Sequence, residues 1–175
     1  MLILFNKPFN VLCQFTDKDG RKTLSDFIDD KNVYAAGRLD YDSEGLVVLT
    51  DDGKLQNIIS DPKHKLEKTY WVQVEGIPND ESISKLRKGL QLKDGITKPA
   101  GVKIINQPKT WERDPSIRER KNIPTSWIEL KIKEGRNRQI RRMTAAIGFP
   151  TLRLIRYSIG EWTIDKIKPG KYKIL

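Results

Sequence analysis

The run Leu46-Val47-Val48-Leu49-Thr50 narrows most sharply what this chain can become, because five β-branched or apolar residues without polar alternation predict a strand buried inside a sheet. It is entered directly from Gly37-Arg38-Leu39-Asp40-Tyr41-Asp42-Ser43-Glu44-Gly45, which packs three carboxylates and an arginine between two glycines. Dense polar groups on a glycine-bracketed loop at a strand edge are more often functional than structural.

The rest of the chain supplies short strands and helices around this feature. Residues 2–5 and 11–15 are apolar runs separated by the turn chemistry of Asn6-Lys7-Pro8-Phe9-Asn10, and both predict strands. Helical spacing appears at 23–28, with Thr23 in a capping position, and again at 52–59 through Leu55, Ile58 and Ile59. Residues 69–74 predict a strand with Tyr70, Val72 and Val74 on one face and Trp71 and Gln73 on the other. Residues 80–90 predict an amphipathic helix capped by Asp80. Strands follow at 102–105 and 127–132, separated by a polar, basic segment with three prolines at 108–124 that reads as an exposed loop or arm. A helix over 137–147 takes Asn137 as its cap and Gly148 as its stop, and late strands are expected at 152–155, 162–164 and 172–175.

These elements interleave without the regular period of a doubly wound sheet, and neither GxGxxG nor GxxxxGK[ST] occurs, which argues against dinucleotide and NTP chemistry. The expected fold is α+β, a mixed and mainly antiparallel sheet with flanking helices, forming two lobes around a central active-site cleft. The 175 residues suffice for one domain spanning 1–175. Cys13 is the single cysteine, so no internal disulfide is available, and no apolar run reaches the ~18 residues of a membrane span. A cytoplasmic protein that is not a membrane protein is the expectation.

Charge carries the first indication of a partner. The chain has a formal net charge of +10, yet residues 1–112 are balanced, whereas residues 113–156 hold 12 bases against 4 acids. Nine of those bases are arginine, whose planar fork matches phosphate oxygens, and Trp111 and Trp127 lie in or beside the stretch as stacking surfaces. This reads as a face for a polyanion, nucleic acid foremost, against the plainer alternative of a solvated basic surface.

Two constellations could carry chemistry. Asp40, Asp42 and Glu44 superficially match a calcium loop, but the apolar run that follows is not the second half of one. A metal-dependent nuclease using the same carboxylates is the more serious rival. The second constellation is Glu134-Gly135-Arg136-Asn137-Arg138-Gln139-Ile140-Arg141-Arg142-Met143, a glycine turn opening a helix with four arginines. Arg138, Arg141 and Arg142 share a face and can converge on phosphates or on a carboxylate, with structural ion pairing as the alternative. His64 has no acid or nucleophile spaced for a triad and receives no role.

Taken together, GRLD followed by EGLVVLTDDG at 37–53, KTYWVQVEG at 68–76, EGRNRQIRRM at 134–143 and TLRLIRYSIG at 151–160 resemble the bacterial ribosomal RNA pseudouridine synthases of the small-subunit synthase A type. The resemblance spans nearly the whole chain. FNKPFNVLCQFTD at 5–17 and RERKNIPTSW at 118–127 are most similar to a branch acting on the large subunit, which lacks the S4-like N-terminal RNA-binding domain of many relatives; the same absence is expected here. Asn10 stands where glycine is common in the family.

The resemblance implies isomerisation of uridine to pseudouridine in 23S ribosomal RNA, free or in a large-subunit assembly intermediate, with neither metal nor cofactor needed; a monomer is expected because no long exposed apolar stripe argues for a dimer. It implies that Asp40 is the nucleophile, that Arg141 is the cation keeping it ionised, and that Tyr70 packs against the flipped base. An apolar residue at Leu154 or Ile155, Leu154 preferred, would close the pocket, and Arg38 would enter the gap the base leaves. Arg136, Arg138 and Arg142 are expected to bind the RNA. A non-catalytic RNA-binding or assembly factor with a relic pocket is the competing reading; intact Asp40, Tyr70 and Arg141 favour the enzyme.

Overall fold

A computed structural model of the chain describes residues 1–175 apart from Lys65, Glu119 and Lys121. Lys121, one of the twelve bases counted above, and Glu119 of the 118–127 stretch thus lie outside the described residues. In chain order the elements are β1 (Leu2–Lys7), β2 (Tyr34–Ala36), β3 (Glu44–Thr50), α1 (Gly53–Ser60), β4 (Lys68–Glu75), α2 (Asp80–Lys88), β5 (Gln91–Leu92), β6 (Gly95–Ile96), β7 (Gly101–Ile105), β8 (Thr125–Ile132), α3 (Gln139–Ala146), β9 (Thr151–Ile159), β10 (Trp162–Thr163) and β11 (Tyr172–Ile174). They divide into two compact units, one formed by Met1–Leu66 and Ile155–Leu175, the other by Glu67–Leu154.

In the first unit β3 is the central strand. Antiparallel β1 runs along one edge from Leu2↔Thr50 to Lys7↔Gly45, and β11 pairs antiparallel with β1 in turn. The other edge is shared: antiparallel β2 covers residues 48–50, while β9 runs parallel beside Glu44 and Gly45. With both edges occupied, β3 is buried along its whole length, as its unbroken apolar run predicts. Ile3, Phe5, Leu24, Ile28, Val33, Val47 and Leu49 form the core of this unit.

The second unit is built on an antiparallel ladder of β4 with β8, from Lys68↔Ile132 to Glu75↔Thr125, with β7 antiparallel on the far edge of β8. Ile83 and Leu86 of α2 and Ile140 and Met143 of α3 pack into one cluster with Val72, Val74, Ile128 and Leu130. Antiparallel ladders dominate and β3 with β9 is parallel, so the α+β class with a mixed, mainly antiparallel sheet holds.

Several local expectations need correction. Residues 11–15 are not a strand: the segment makes a single parallel bridge, Leu12↔Thr23, and the hydroxyls of Thr23 and Ser25 donate to Phe15 O where a strand partner would otherwise do so. Thr23 does cap, in a reciprocal box with Asp26, but the element is a 3-10 turn over Leu24–Asp26. For α2 the cap is Asn79, which accepts from Ser82 N at 2.8 Å, and not Asp80. For α3 the cap position falls on Arg138, in the left-handed region at φ +50° without a side-chain cap bond, and not on Asn137. β2 and the β5–β6 hairpin were not expected, being too short to show periodicity. Asn10 adopts φ +60°, a conformation asparagine tolerates better than most residues, so the turn accommodates the missing glycine.

Candidate functional site

The acidic loop of the first unit is held from below by two buried cations. Arg156, 2% exposed, donates from Nη2 to Gly37 O at 2.6 Å and from Nε to Leu46 O at 2.9 Å, stapling the two ends of the loop. Lys7 is fully buried, and its Nζ donates to Pro8 O and Val11 O, both at 2.8 Å, and to Tyr41 O at 3.4 Å within the loop. Burial lowers the Lys7 pKa to about 8, against the opposing pull of Cys13, Glu44, Asp42 and Asp40.

Both bracketing glycines are needed conformationally. Gly37 sits at φ +78°, and Gly45 at φ +109°, where a Cβ would lie 2.3 Å from Arg156 O. Asp40 is half-buried at the bend, where Ser43 N donates to its carbonyl at 3.1 Å. Arg38 is exposed and reaches Gln14 Oε1 at 3.0 Å. Among the described residues, no three His, Cys, Asp or Glu side chains come together as a metal-binding set, so the carboxylates of this loop do not form the cluster that a two-metal nuclease uses.

The second unit brings Tyr70 and Leu154 together, 8% and 6% exposed, in the apolar cluster that also contains Ile140 and Met143. Ahead of α3 the polar groups form a buried node. Glu134 accepts from Gln139 Nε2 at 2.7 Å and from Lys98 N at 2.9 Å, and Gln139 Oε1 accepts from Arg136 N at 3.2 Å. Arg138, Arg141 and Arg142 converge as their spacing predicts, lining an open cleft of about 460 Å³ with Asn137 and Ala145. The carboxylate there belongs to Asp94, which Arg142 grips with both Nη atoms, at 2.8 and 3.1 Å. That contact holds the Asp94 carboxyl below its usual range and raises the Arg142 guanidinium. Arg136 donates to Gly95 O at 3.1 Å and Ile96 O at 2.6 Å, binding the β5–β6 hairpin to the start of α3.

The basic stretch is less open than its composition suggests. Arg153, 3% exposed, lies 5.5 Å from the Trp111 ring centroid and donates to Trp111 O at 2.9 Å, so one face of that indole already carries a guanidinium. Arg113 bonds Pro115 O, Ser116 O and Leu152 O, tying the proline-rich arm down. Trp127 is buried in β8 and offers no surface for a base. Lys7, Arg156 and Asp94 are the residues that sequence reasoning did not place. A lone lysine ending an apolar strand was the available signal for Lys7; Arg156 and Asp94 carried none.

Comparison with known proteins adds independent information. The model of a family described as RNA pseudouridylate synthase matches residues 1–146. A Vibrio parahaemolyticus protein named ribosomal large subunit pseudouridine synthase E is 61% identical over 172 residues, which cover 98% of this chain and 72% of the relative. A Salmonella typhimurium protein named ribosomal small subunit pseudouridine synthase A is 36% identical, with 98% of this chain and 69% of the relative covered. A crystal structure described as a pseudouridylate synthase superposes with a TM-score of 0.82 at 32% identity, covering 99% of this chain and 69% of that one.

Proposed function

Because the chain belongs to the RNA pseudouridylate synthase family, it is an enzyme that isomerises uridine, and we propose that it does so in 23S large-subunit ribosomal RNA with Asp40 as the nucleophile. The observation that supports the choice of RNA most is the 61% identity, over 98% of the chain, to a protein named for the large subunit. In the reaction the N1–C1′ bond breaks, a C5–C1′ bond forms, the C5 proton leaves and N1 gains a proton. No electrons are exchanged, so the balance needs no redox partner.

The residues divide this work by their chemistry. The Asp40 carboxylate must stay ionised where water is excluded, and Arg141, charged at any working pH, is the cation that keeps it so. Tyr70 lays its ring against the flipped uracil, and Leu154 closes the apolar side of the base pocket, in keeping with their shared cluster. Arg38, exposed at the rim of the acidic loop, enters the gap left in the RNA. Arg136, Arg138 and Arg142 provide positive charge for the RNA backbone. We place this activity in the bacterial cytoplasm, carried out by a monomer on rRNA or an assembly intermediate. Among the described residues no helix is long and apolar enough to cross a membrane.

Tritium release from 5-tritiated uridine in large-subunit rRNA transcripts tests the reading. Wild type should release tritium with chelator present, and Asp40→Asn should lose at least about a thousandfold in rate while keeping its fold and RNA affinity. Substantial turnover by Asp40→Asn would remove Asp40 from the nucleophile role.

A further inference from the structure

The turn between β5 and β6 puts a carboxylate where arginines of the second unit converge. Arg142 Nη1 and Nη2 donate to Asp94 Oδ1 and Oδ2 at 2.8 and 3.1 Å, while Arg142 Nε donates to Asn137 O at 3.0 Å. The guanidinium is therefore steadied by Asn137, and its two-nitrogen edge is presented to Asp94. Arg136 Nη1 makes a longer contact with Asp94 Oδ1 at 3.5 Å, and the hairpin does not depend on these ion pairs alone, because Arg136 also holds it through the Gly95 and Ile96 carbonyls. The pair is also open to solvent: the Arg142 and Asp94 side chains are 33% and 47% exposed and face the cleft that Arg138 and Arg141 line.

A carboxylate and a phosphodiester offer a guanidinium fork the same paired oxygens, and an ion pair this exposed is weak enough to exchange. Resting on the reading of the chain as an RNA-modifying enzyme, we infer that this cleft takes a backbone phosphodiester of the RNA and that Asp94 is its intramolecular stand-in. The Asp94 carboxylate orients the Arg142 fork before RNA arrives and yields its place to the phosphate on binding. A stand-in competes with its ligand, so its removal strengthens RNA binding. A carboxylate that merely braced Arg142 would have the opposite effect.

The sign of that effect is the test. Binding of a fluorescein-labelled rRNA stem-loop to the full chain would be followed by anisotropy over a KCl series for wild type, Asp94→Asn, Asp94→Ser, Arg142→Gln and the Asp94→Asn/Arg142→Gln double variant. Both Asp94 variants should bind roughly two- to fivefold tighter at low salt. Their log Kd against log salt slope should steepen by up to about 0.9, because no freed carboxylate then recaptures a cation. Arg142→Gln should bind more weakly with a shallower slope, and Asp94→Asn should add nothing on top of it. Unchanged or weaker binding by both Asp94 variants, or a gain that persists without Arg142, would overturn the inference. Tritium release by wild type separates the two readings. Release without an Asp94 gain removes the stand-in and leaves the isomerase; a gain without release from either rRNA transcripts or large-subunit assembly particles supports the cleft and removes the large-subunit rRNA reading.

Discussion

At Lys7 burial and charge pull in opposite directions. Its ammonium is fully buried yet donates to three carbonyls, one of them in the loop that carries Asp40. Lys7→Met would strand those carbonyls, and we expect it to cost about 1–3 kcal/mol at pH 7. The pH dependence has a definite sign. The folded pKa is about 8 and the ordinary value 10.5, so between those limits the unfolded chain holds a proton that the folded chain has released. Stability contributed by this group therefore rises with pH across that window, by about 1.4 kcal/mol per unit, and is flat below it. Urea unfolding at pH 7 to 10 should show the gap between wild type and Lys7→Met widening above pH 8. At Arg141 the argument concerns shape more than charge. Lysine keeps the positive charge and loses the planar fork, so Arg141→Lys should lower the single-turnover rate by about a hundredfold with little change in RNA affinity.

At the scale of elements, the acidic loop depends on where β3 meets β9. The register pairs Gly45 with Arg156, and a Cβ at Gly45 would meet backbone atoms that cannot swing aside. Gly45→Ala should destabilise the chain by about 2–4 kcal/mol, whereas Gly37→Ala, with nothing within 4 Å of its Cβ, should cost only about 1 kcal/mol. Denaturation midpoints of the two variants would measure the contrast. The same scale shows why some elements were legible and others not. β3, β4, β8 and α1 were readable because their apolar residues repeat within a short window. Residues 11–15 carry the same apolar density but find hydroxyl partners in place of a neighbouring strand, a fact their own composition does not contain. The cap of α3 was misplaced because Arg138 takes a left-handed conformation that favours other residues.

Across the whole molecule, the positive charge divides into solvent-facing and internal parts. Arg153 and Arg156 are buried and hydrogen-bonded to carbonyls, while Arg138 is exposed. Arg138→Ala should reduce the salt slope of RNA binding by about 0.7–1 with the melting temperature nearly unchanged. Arg156→Ala should lower the melting temperature by several degrees and leave the salt slope alone. Thermal melts and binding isotherms on the same two variants would check both halves.

What could be read without coordinates was whatever lies within a few neighbouring residues: the buried strand, the glycine-bracketed carboxylates, the arginine spacing on α3, and the motifs that point to an RNA isomerase. These signals are local because helix and strand periods, caps and turns are set by adjacent backbone and side chains. Which cations turn inward was decided only by the folded chain. Arg156 and the Gly37 carbonyl it binds are 119 residues apart, and Arg142 and Asp94 are 48 apart. No local window contains both partners. An arginine that grips a carbonyl in the interior and one that waits for a phosphate look alike in the sequence, because the difference is the desolvation each undergoes once distant segments close around it.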